Sequence, residues 1–419
     1  MATIDSGRRL TEDDWTSPFP AHAVWEITLA CDLECNHCGS RAARRRPDEL
    51  STAECLDVVT QLAALGCREV TLIGGEAYLR KDWTTLIRAV ADAGMLPGVQ
   101  TGARNLTEKR VAEAAEAGLR VIGVSIDGLA ETHDAIRGVP GSFDKAITAL
   151  ETCKRYGMEL SVNTQIHSSI LGELPAMLDR FIEIGIATWQ IQLTVAMGRA
   201  ADNDALLVQP YELLEIYPVL FELWEKAKVH GIDLIPGNNI GYFGPYEHAW
   251  RGRSEFSHFK GCNAGLNTLG IEADGTIKGC PSLPTTPFSG GNIRDLSLED
   301  IWNDADALAF NRTRTTADLW GRCQGCYYAD VCRAGCTWTT HTLFGRSGNN
   351  PYCHYRALKL AEEGLRERIV KVRAAPGQPF DYGGFELIEE RIDDGAEVKR
   401  IAAEPRHTQV GHPRLVVLA

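Results

Sequence analysis

Three cysteines stand together near the start of the chain, Cys31-Asp-Leu-Glu-Cys35-Asn-His-Cys38, in the spacing C-x3-C-x2-C. Three thiolates on one short loop can converge on three corners of a cubane iron–sulfur cluster and leave the fourth iron without a protein ligand. Zinc is the competing reading, because a structural zinc takes four closed ligands and His37 is at hand to complete the set. Seven more cysteines follow as Cys262-x12-Gly275-x4-Cys280, then Cys323-x2-Cys326-x5-Cys332-x3-Cys336, then Cys353. By residue type this second set is either cluster ligation or a pair of zinc ribbons. Cys55, Cys67 and Cys153 stand alone and suit the core as small hydrophobes.

Composition sets the conditions under which such thiols work. The 419 residues are 44% hydrophobic and 24% charged, the mix of an ordinary globular chain. Lys plus Arg number 43 and Asp plus Glu 56, a formal charge of −13, which disfavours nucleic-acid and anionic-membrane partners. No apolar run reaches the roughly eighteen residues a bilayer span needs, and the opening MATIDSGRRLTEDDW carries no apolar signal region. The expectation is a cytoplasmic protein whose thiols stay reduced, with no disulfide framework.

The elements that would position the first cysteine loop alternate strand and helix. Strands are expected at Val24–Thr28, Glu69–Ile73, Gly98–Thr101, Val121–Ile126, Glu159–Gln165 and Thr188–Leu193. Helices are expected at Thr52–Leu65, Asp82–Ala93, Thr107–Ala117, Phe143–Tyr156, Leu174–Ile184 and Tyr211–Val229. Ser51 and Glu54 form a capping box for the first helix, and glycines close several of the others. This alternation predicts an α/β fold with a parallel sheet, a partial (β/α)6 TIM-like barrel over 22–230, preceded by an N-terminal extension, 1–21. A Gly/Asn/aromatic linking segment, 231–261, leads to a cysteine-rich domain, 262–360. That domain holds short helices and a hairpin turning at Asp274-Gly275. Residues 354–373 read as a charged helix, and the tail to 419 is left unassigned. The cysteine loop follows the first strand, and Ile73-Gly74-Gly75-Glu76 and Ser125-Ile126-Asp127-Gly128 end two others, so all three meet where α/β folds put ligand sites.

Cys31, Cys35 and Cys38 with Gly74-Gly75-Glu76 resemble the radical S-adenosylmethionine superfamily, and the seven later cysteines resemble its C-terminal SPASM domain. The resemblance implies a [4Fe–4S] cluster on Cys31, Cys35 and Cys38 whose open iron chelates S-adenosylmethionine, cleaved by one electron to a 5′-deoxyadenosyl radical. It also implies that Gly74, Gly75 and Glu76 hold the methionine amine, that Ser125 and Arg137 touch ribose or carboxylate, and that Gln192, Leu193 and His37 lie by the adenosine. Family members often carry Asn-Gly at the end of the third strand, where this chain has Thr101-Gly102. By the same resemblance Cys262, Cys280 and Cys336 ligate a proximal auxiliary [4Fe–4S] cluster, and Cys323, Cys326, Cys332 and Cys353 a distal one, three clusters in all. Four ligands against three predicts an open or non-cysteine position on the proximal cluster, with His248 and His258 as candidate fourth ligands. Relatives of this layout include peptide maturases, anaerobic sulfatase-maturating enzymes and small-molecule dehydrogenases. The expected substrate is a peptide or protein and the expected reductant a flavodoxin or ferredoxin. A separate leader-peptide-binding protein is a further candidate partner. A base for the chemistry is sought in Asp127, His167 or Glu247. A non-catalytic electron carrier is the competing class, and intact Gly74-Gly75-Glu76 argues against it, since a carrier needs no amine pocket.

Overall fold

The computed structural model describes residues 10–11, 14, 17–251, 258–392 and 398–401. All six expected strands form within two residues of their expected ends: β1 (His22–Glu26), β2 (Glu69–Ile73), β3 (Leu96–Thr101), β4 (Val121–Ser125), β5 (Glu159–Ile166) and β6 (Thr188–Leu193). They pair in parallel in chain order, with the expected helices between them. The first helix, Thr52–Ala64, carries the complete capping box of Ser51 and Glu54. Three short helices ahead of the cysteine-rich region lie outside the expected set: Ala130–Arg137, just after Asp127-Gly128, Arg199–Asp202 and Glu247–Arg251.

Two sequence expectations are corrected. The linking segment contributes a seventh parallel strand, β7 (Asp233–Pro236), paired to β6 through Thr188↔Asp233; four residues in Gly- and Asn-rich surroundings gave no periodic signal. The helix expected over 354–373 ends at Glu362, and β11 (Leu365–Arg373) follows. Gly364, at φ 71, breaks the helix. Beyond it the charges repeat every second residue, so Arg366 and Arg368 both reach Glu390 of β12 (Gly384–Arg391), at 2.8 and 3.0 Å. A third strand, Val398–Ile401, completes this antiparallel sheet.

The cysteine-rich region is joined to the barrel by continuous hydrogen bonding. Its strand β8 (Thr268–Ile271) pairs in parallel with β1, His22↔Thr268 to Trp25↔Ile271, on the edge away from β2. β9 (Thr276–Lys278) returns from the turn at Asp274-Gly275 as expected, and β10 (Ser289–Asn292) follows, so one ten-stranded sheet spans both regions.

Strand alternation divides this sheet into two faces. Trp25, Leu72, Val99, Val124, Val162 and Trp189 turn to the helices and form one continuous core, almost wholly out of water. Each such burial contributes about 1.5–3 kcal/mol. The opposite, concave face is half-buried and polar: Gln100, Ser125, Asn163, Gln165, Gln190 and Gln192 share it by register. No Lys or Arg occupies a concave-face position of β1 through β7.

Candidate active site

The loop carrying Cys31, Cys35 and Cys38 leaves the end of β1 and folds over the mouth of the sheet. Backbone N–H groups of Leu33 and Ala42 donate to Cys31 Sγ and Cys38 Sγ, each at 3.4 Å, and Arg137 Nη1 donates to Cys35 Sγ at 3.6 Å. The three thiols feel one another's charge. Burial pushes Cys31 well above the ordinary thiol range, with Glu76 adding to it, and raises Cys35 against the opposing charge of Arg137. Such a site binds as thiolates only when a cation replaces the protons, and sulfur-directed N–H donors suit a cluster.

Gly74, Gly75 and Glu76 run alongside this loop: Gly75 N donates to Thr28 O at 2.9 Å and Glu76 N to Ala30 O at 2.7 Å. A Cβ on Gly75 would lie 2.2 Å from Ala30 O and 2.6 Å from Cys31 Cβ; one on Gly74 would lie 2.2 Å from Thr28 O. These glycines thus admit the cysteine loop itself, a reason distinct from ligand approach. Gly75→Ala is expected to destabilise the metal-free protein by about 1–3 kcal/mol, read by denaturant unfolding, and to lower the iron retained on the loop.

Glu76 accepts from Thr101 Oγ1 and, at 2.6 Å, from Gly102 N. Here Thr101-Gly102 finds its use: both residues orient the glutamate, whose carboxyl burial pushes up to about 7 despite those donors. One carboxyl oxygen of Glu76 lies within 4.8 Å of Cys31 Sγ and of a carboxyl oxygen of Asp32.

Beside the loop sits a buried ionic cluster. Asp127, fully out of water, takes Arg137 Nη2 at 2.6 Å and His37 Nε2 at 3.0 Å on one oxygen, and Gln165 N at 2.8 Å on the other. Burial alone would raise its pKa; Arg137 and His37 more than reverse this and hold it well below the carboxylate range. Arg137, expected to touch ribose or carboxylate, is 9% exposed and bridges Asp127 to Cys35. His37 Nδ1 and Arg137 Nε are buried without a protein partner, polar capacity suited to a ligand in the mouth.

The other base candidates are committed to structure. His167 shares Nε2 with Asp127 O at 3.2 Å and Nδ1 with Ser169 Oγ at 3.1 Å. Glu247 spends both oxygens on backbone N–H groups, Phe243 at 3.0 Å and Phe259 at 2.7 Å. Ser125 Oγ accepts from Gln100 Nε2 at 2.9 Å, and Asn163 Nδ2 donates to Gln100 Oε1 at 2.9 Å, a polar chain across three strands. Gln192 joins their face, whereas Leu193 turns to the helices and its backbone N–H and C=O bond the Asn239 amide at 3.1 and 2.9 Å. Gln100, Asn163 and Asn239 went unnoticed in the sequence, where only strand parity on either side of Ser125 would have found the first two.

The seven later cysteines separate into two groups by which thiols lie within reach of one another's charge. Cys280 feels Cys262, and Cys336 feels both. Cys332 feels Cys353, Cys323 and Cys326, and these four line a cavity of about 160 Å3 with Tyr242, Asn350 and Arg356. Tyr242 lies between the groups, its hydroxyl accepting from Cys336 N at 3.1 Å and its carbonyl from Cys353 Sγ at 3.7 Å. His248 packs against Phe221 and Trp224, and His258 bonds Phe259 O at 3.0 Å beside Phe243. Trp338 donates to Met197 Sδ at 2.9 Å, and Tyr328 stacks on Phe243, which is packing. Cys55, Cys67 and Cys153 lie in the core.

Comparison with known proteins decides the family. The family model of the radical SAM superfamily matches residues 25–184, and that of an iron-sulfur cluster-binding domain, SPASM, matches 262–327. An AdoMet-dependent heme synthase of Methanosarcina barkeri is 30% identical over 80% of this chain and 97% of its own. The chain belongs to the radical SAM superfamily. A PqqA peptide cyclase of Rhizobium meliloti is 27% identical over 87% of this chain and 94% of its own. Among solved structures, Streptococcus suis SuiB bound to S-adenosylmethionine superposes with a TM-score of 0.64 at 18% identity, covering 81% of this chain and 77% of that one, a likeness of fold. This radical SAM/SPASM enzyme therefore has relatives named for tetrapyrroles and relatives named for peptides, and no helix among its described residues is long and apolar enough to cross a membrane.

Proposed function

We propose that this radical SAM/SPASM enzyme modifies a peptide or protein, as a maturase that crosslinks, epimerises or oxidises a ribosomally made substrate. In this reading Cys31, Cys35 and Cys38 hold the S-adenosylmethionine-binding [4Fe–4S] cluster, Cys262, Cys280 and Cys336 the proximal auxiliary cluster, and Cys323, Cys326, Cys332 and Cys353 the distal one. With S-adenosylmethionine held there, one electron from a flavodoxin or ferredoxin, delivered through the cluster, would break a sulfonium C–S bond to methionine and a 5′-deoxyadenosyl radical able to take a hydrogen atom from the substrate. The chain's own residues prepare the mouth. Glu76 is oriented by Thr101 and Gly102 to take the methionine amine, with Gly74 and Gly75 beside it; Ser125, Gln192 and His37 offer polar atoms to the adenosine. Asp127 holds Arg137 and His37 in place.

The observation that carries the substrate class is the lining of the concave face, which is amide-rich, acidic toward its lower end and free of Lys and Arg. A tetrapyrrole presents several carboxylates, which want cations. Three of the arginines near the mouth are already committed: Arg41 to Asp202 and Asp381 at 2.5 and 2.7 Å, Arg46 to Glu26 and Glu272 at 3.2 and 3.0 Å, and Arg199 to the carbonyls of Cys35 and Ala42. Gln and Asn side chains pair instead with the amide groups of a peptide backbone.

The test is anaerobic reconstitution followed by two additions. About twelve irons per chain, with 5′-deoxyadenosine released under reductant and the release raised by a peptide encoded beside the gene, is the expected result. Saturable binding of Fe-coproporphyrin III that stimulates 5′-deoxyadenosine release would overturn the peptide reading. Stoichiometric zinc without 5′-deoxyadenosine would overturn the cluster assignment.

A further inference from the structure

Each of the three cysteine groups faces one buried arginine, and the three arginines are not alike. Arg137 reaches Cys35 and is paired with Asp127 at 2.6 Å. Arg356 reaches Cys323 Sγ at 3.9 Å and is paired with Glu367 at 2.5 Å, so its charge is largely cancelled. Arg314 is 7% exposed and is tied to Thr337, the residue that follows Cys336. Its Nη1 donates to Thr337 Oγ1 at 3.0 Å and its Nη2 to Ser347 Oγ at 2.7 Å, both neutral hydroxyls. Asn311 ties the same Thr337, at 3.4 Å, to Ala264 O, at 2.9 Å, beside Cys262.

The remaining charges near Arg314 leave it uncompensated. Asp318 is exposed, and its carboxylate caps Thr315 at 2.8 Å. Arg333 is exposed and of like sign. Lys278, the other cation within reach of Cys280, is neutralised by Glu272 at 2.8 Å. Burial depresses the Arg314 guanidinium, with Cys262, Asp318 and Cys336 acting against that. Arginine nonetheless stays charged in proteins. A buried cation without a carboxylate is costly, and one facing thiolates stabilises negative charge on them.

We propose that Arg314 sets the order of the two auxiliary sites, making the Cys262/Cys280/Cys336 site easier to reduce than the Cys323/Cys326/Cys332/Cys353 site. Two features act together: three thiolates against four, and an unpaired buried guanidinium against one cancelled by Glu367. Reduction adds one negative charge, and charge and hydrogen bonding around the sulfurs shift the potential accordingly. The inference rests on the cluster ligation proposed above.

The test is a redox titration of the reconstituted full chain followed by electron paramagnetic resonance, with Cys280→Ala and Cys326→Ala assigning each signal to its site. The Cys262 site is expected to have the higher midpoint. Arg314→Gln is expected to make that site about tenfold harder to reduce, a fall of about 59 mV for a one-electron couple, without moving the other site, and Arg314→Lys to restore part of it. Glu367→Gln, which frees the charge of Arg356, is expected to raise the midpoint of the other site. Fully loaded Arg314→Gln protein with both midpoints unchanged would overturn the inference. Should Arg314→Gln not load, an unchanged midpoint in Glu367→Gln would overturn it equally. Absence of iron–sulfur signals in the unmodified protein would instead overturn the ligation on which it rests.

Discussion

Replacing Cys31, Cys35 and Cys38 together by alanine is expected to abolish 5′-deoxyadenosine formation while removing only about a third of the iron. The structure gives the reason for the partial loss. The first three cysteines ride on a loop after β1, held by N–H donors from Leu33 and Ala42 and by Arg137. The other seven lie on segments after β7, in two groups whose thiols act on one another. Two auxiliary signals should therefore survive in the triple variant with unaltered spectra. Iron and sulfide analysis with electron paramagnetic resonance checks this directly. Loss of nearly all the iron would mean that the three sites do not load independently. Residual 5′-deoxyadenosine would mean that another group holds S-adenosylmethionine.

Much of this arrangement is legible in sequence because metal ligation demands particular atoms at short separations. The spacings at Cys31 and Cys323 announce themselves without a fold, and strand–helix alternation supplies the parallel sheet that brings Gly74, Glu76 and Asp127 to one end. What escapes is whatever depends on packing between distant segments. Nothing near Arg137 in the chain shows that it would be buried between Asp127 and Cys35. The Arg356–Glu367 pair joins a helix to a strand that the charge pattern alone disguised as more helix. The glycines of Gly74-Gly75 look like a ligand cradle from sequence, yet the space beside them is filled by the backbone of Thr28 and Ala30. Short elements were also hidden: β7 has four residues, too few to reveal a period.

Asp127→Asn is expected to cost stability first and chemistry second. The carboxylate is wholly buried, bonded to Arg137 at 2.6 Å and His37 at 3.0 Å, and the asparagine keeps its shape without its charge. Removing one partner of a buried ion pair leaves the other uncompensated, at about 3–5 kcal/mol. Arg137 would lose its paired carboxylate, so the metal-free variant should unfold at markedly lower denaturant concentration. Adding Arg137→Gln removes the stranded charge, and the double variant should lose less than the sum of the two single losses, a coupling read from a double-mutant cycle. A general base behaves differently. Its amide replacement would fold and load iron as the parent does, release 5′-deoxyadenosine and fail only at product. Unaltered stability with that failure would make Asp127 the base; lowered stability with positive coupling to Arg137 makes it the residue that holds the mouth together.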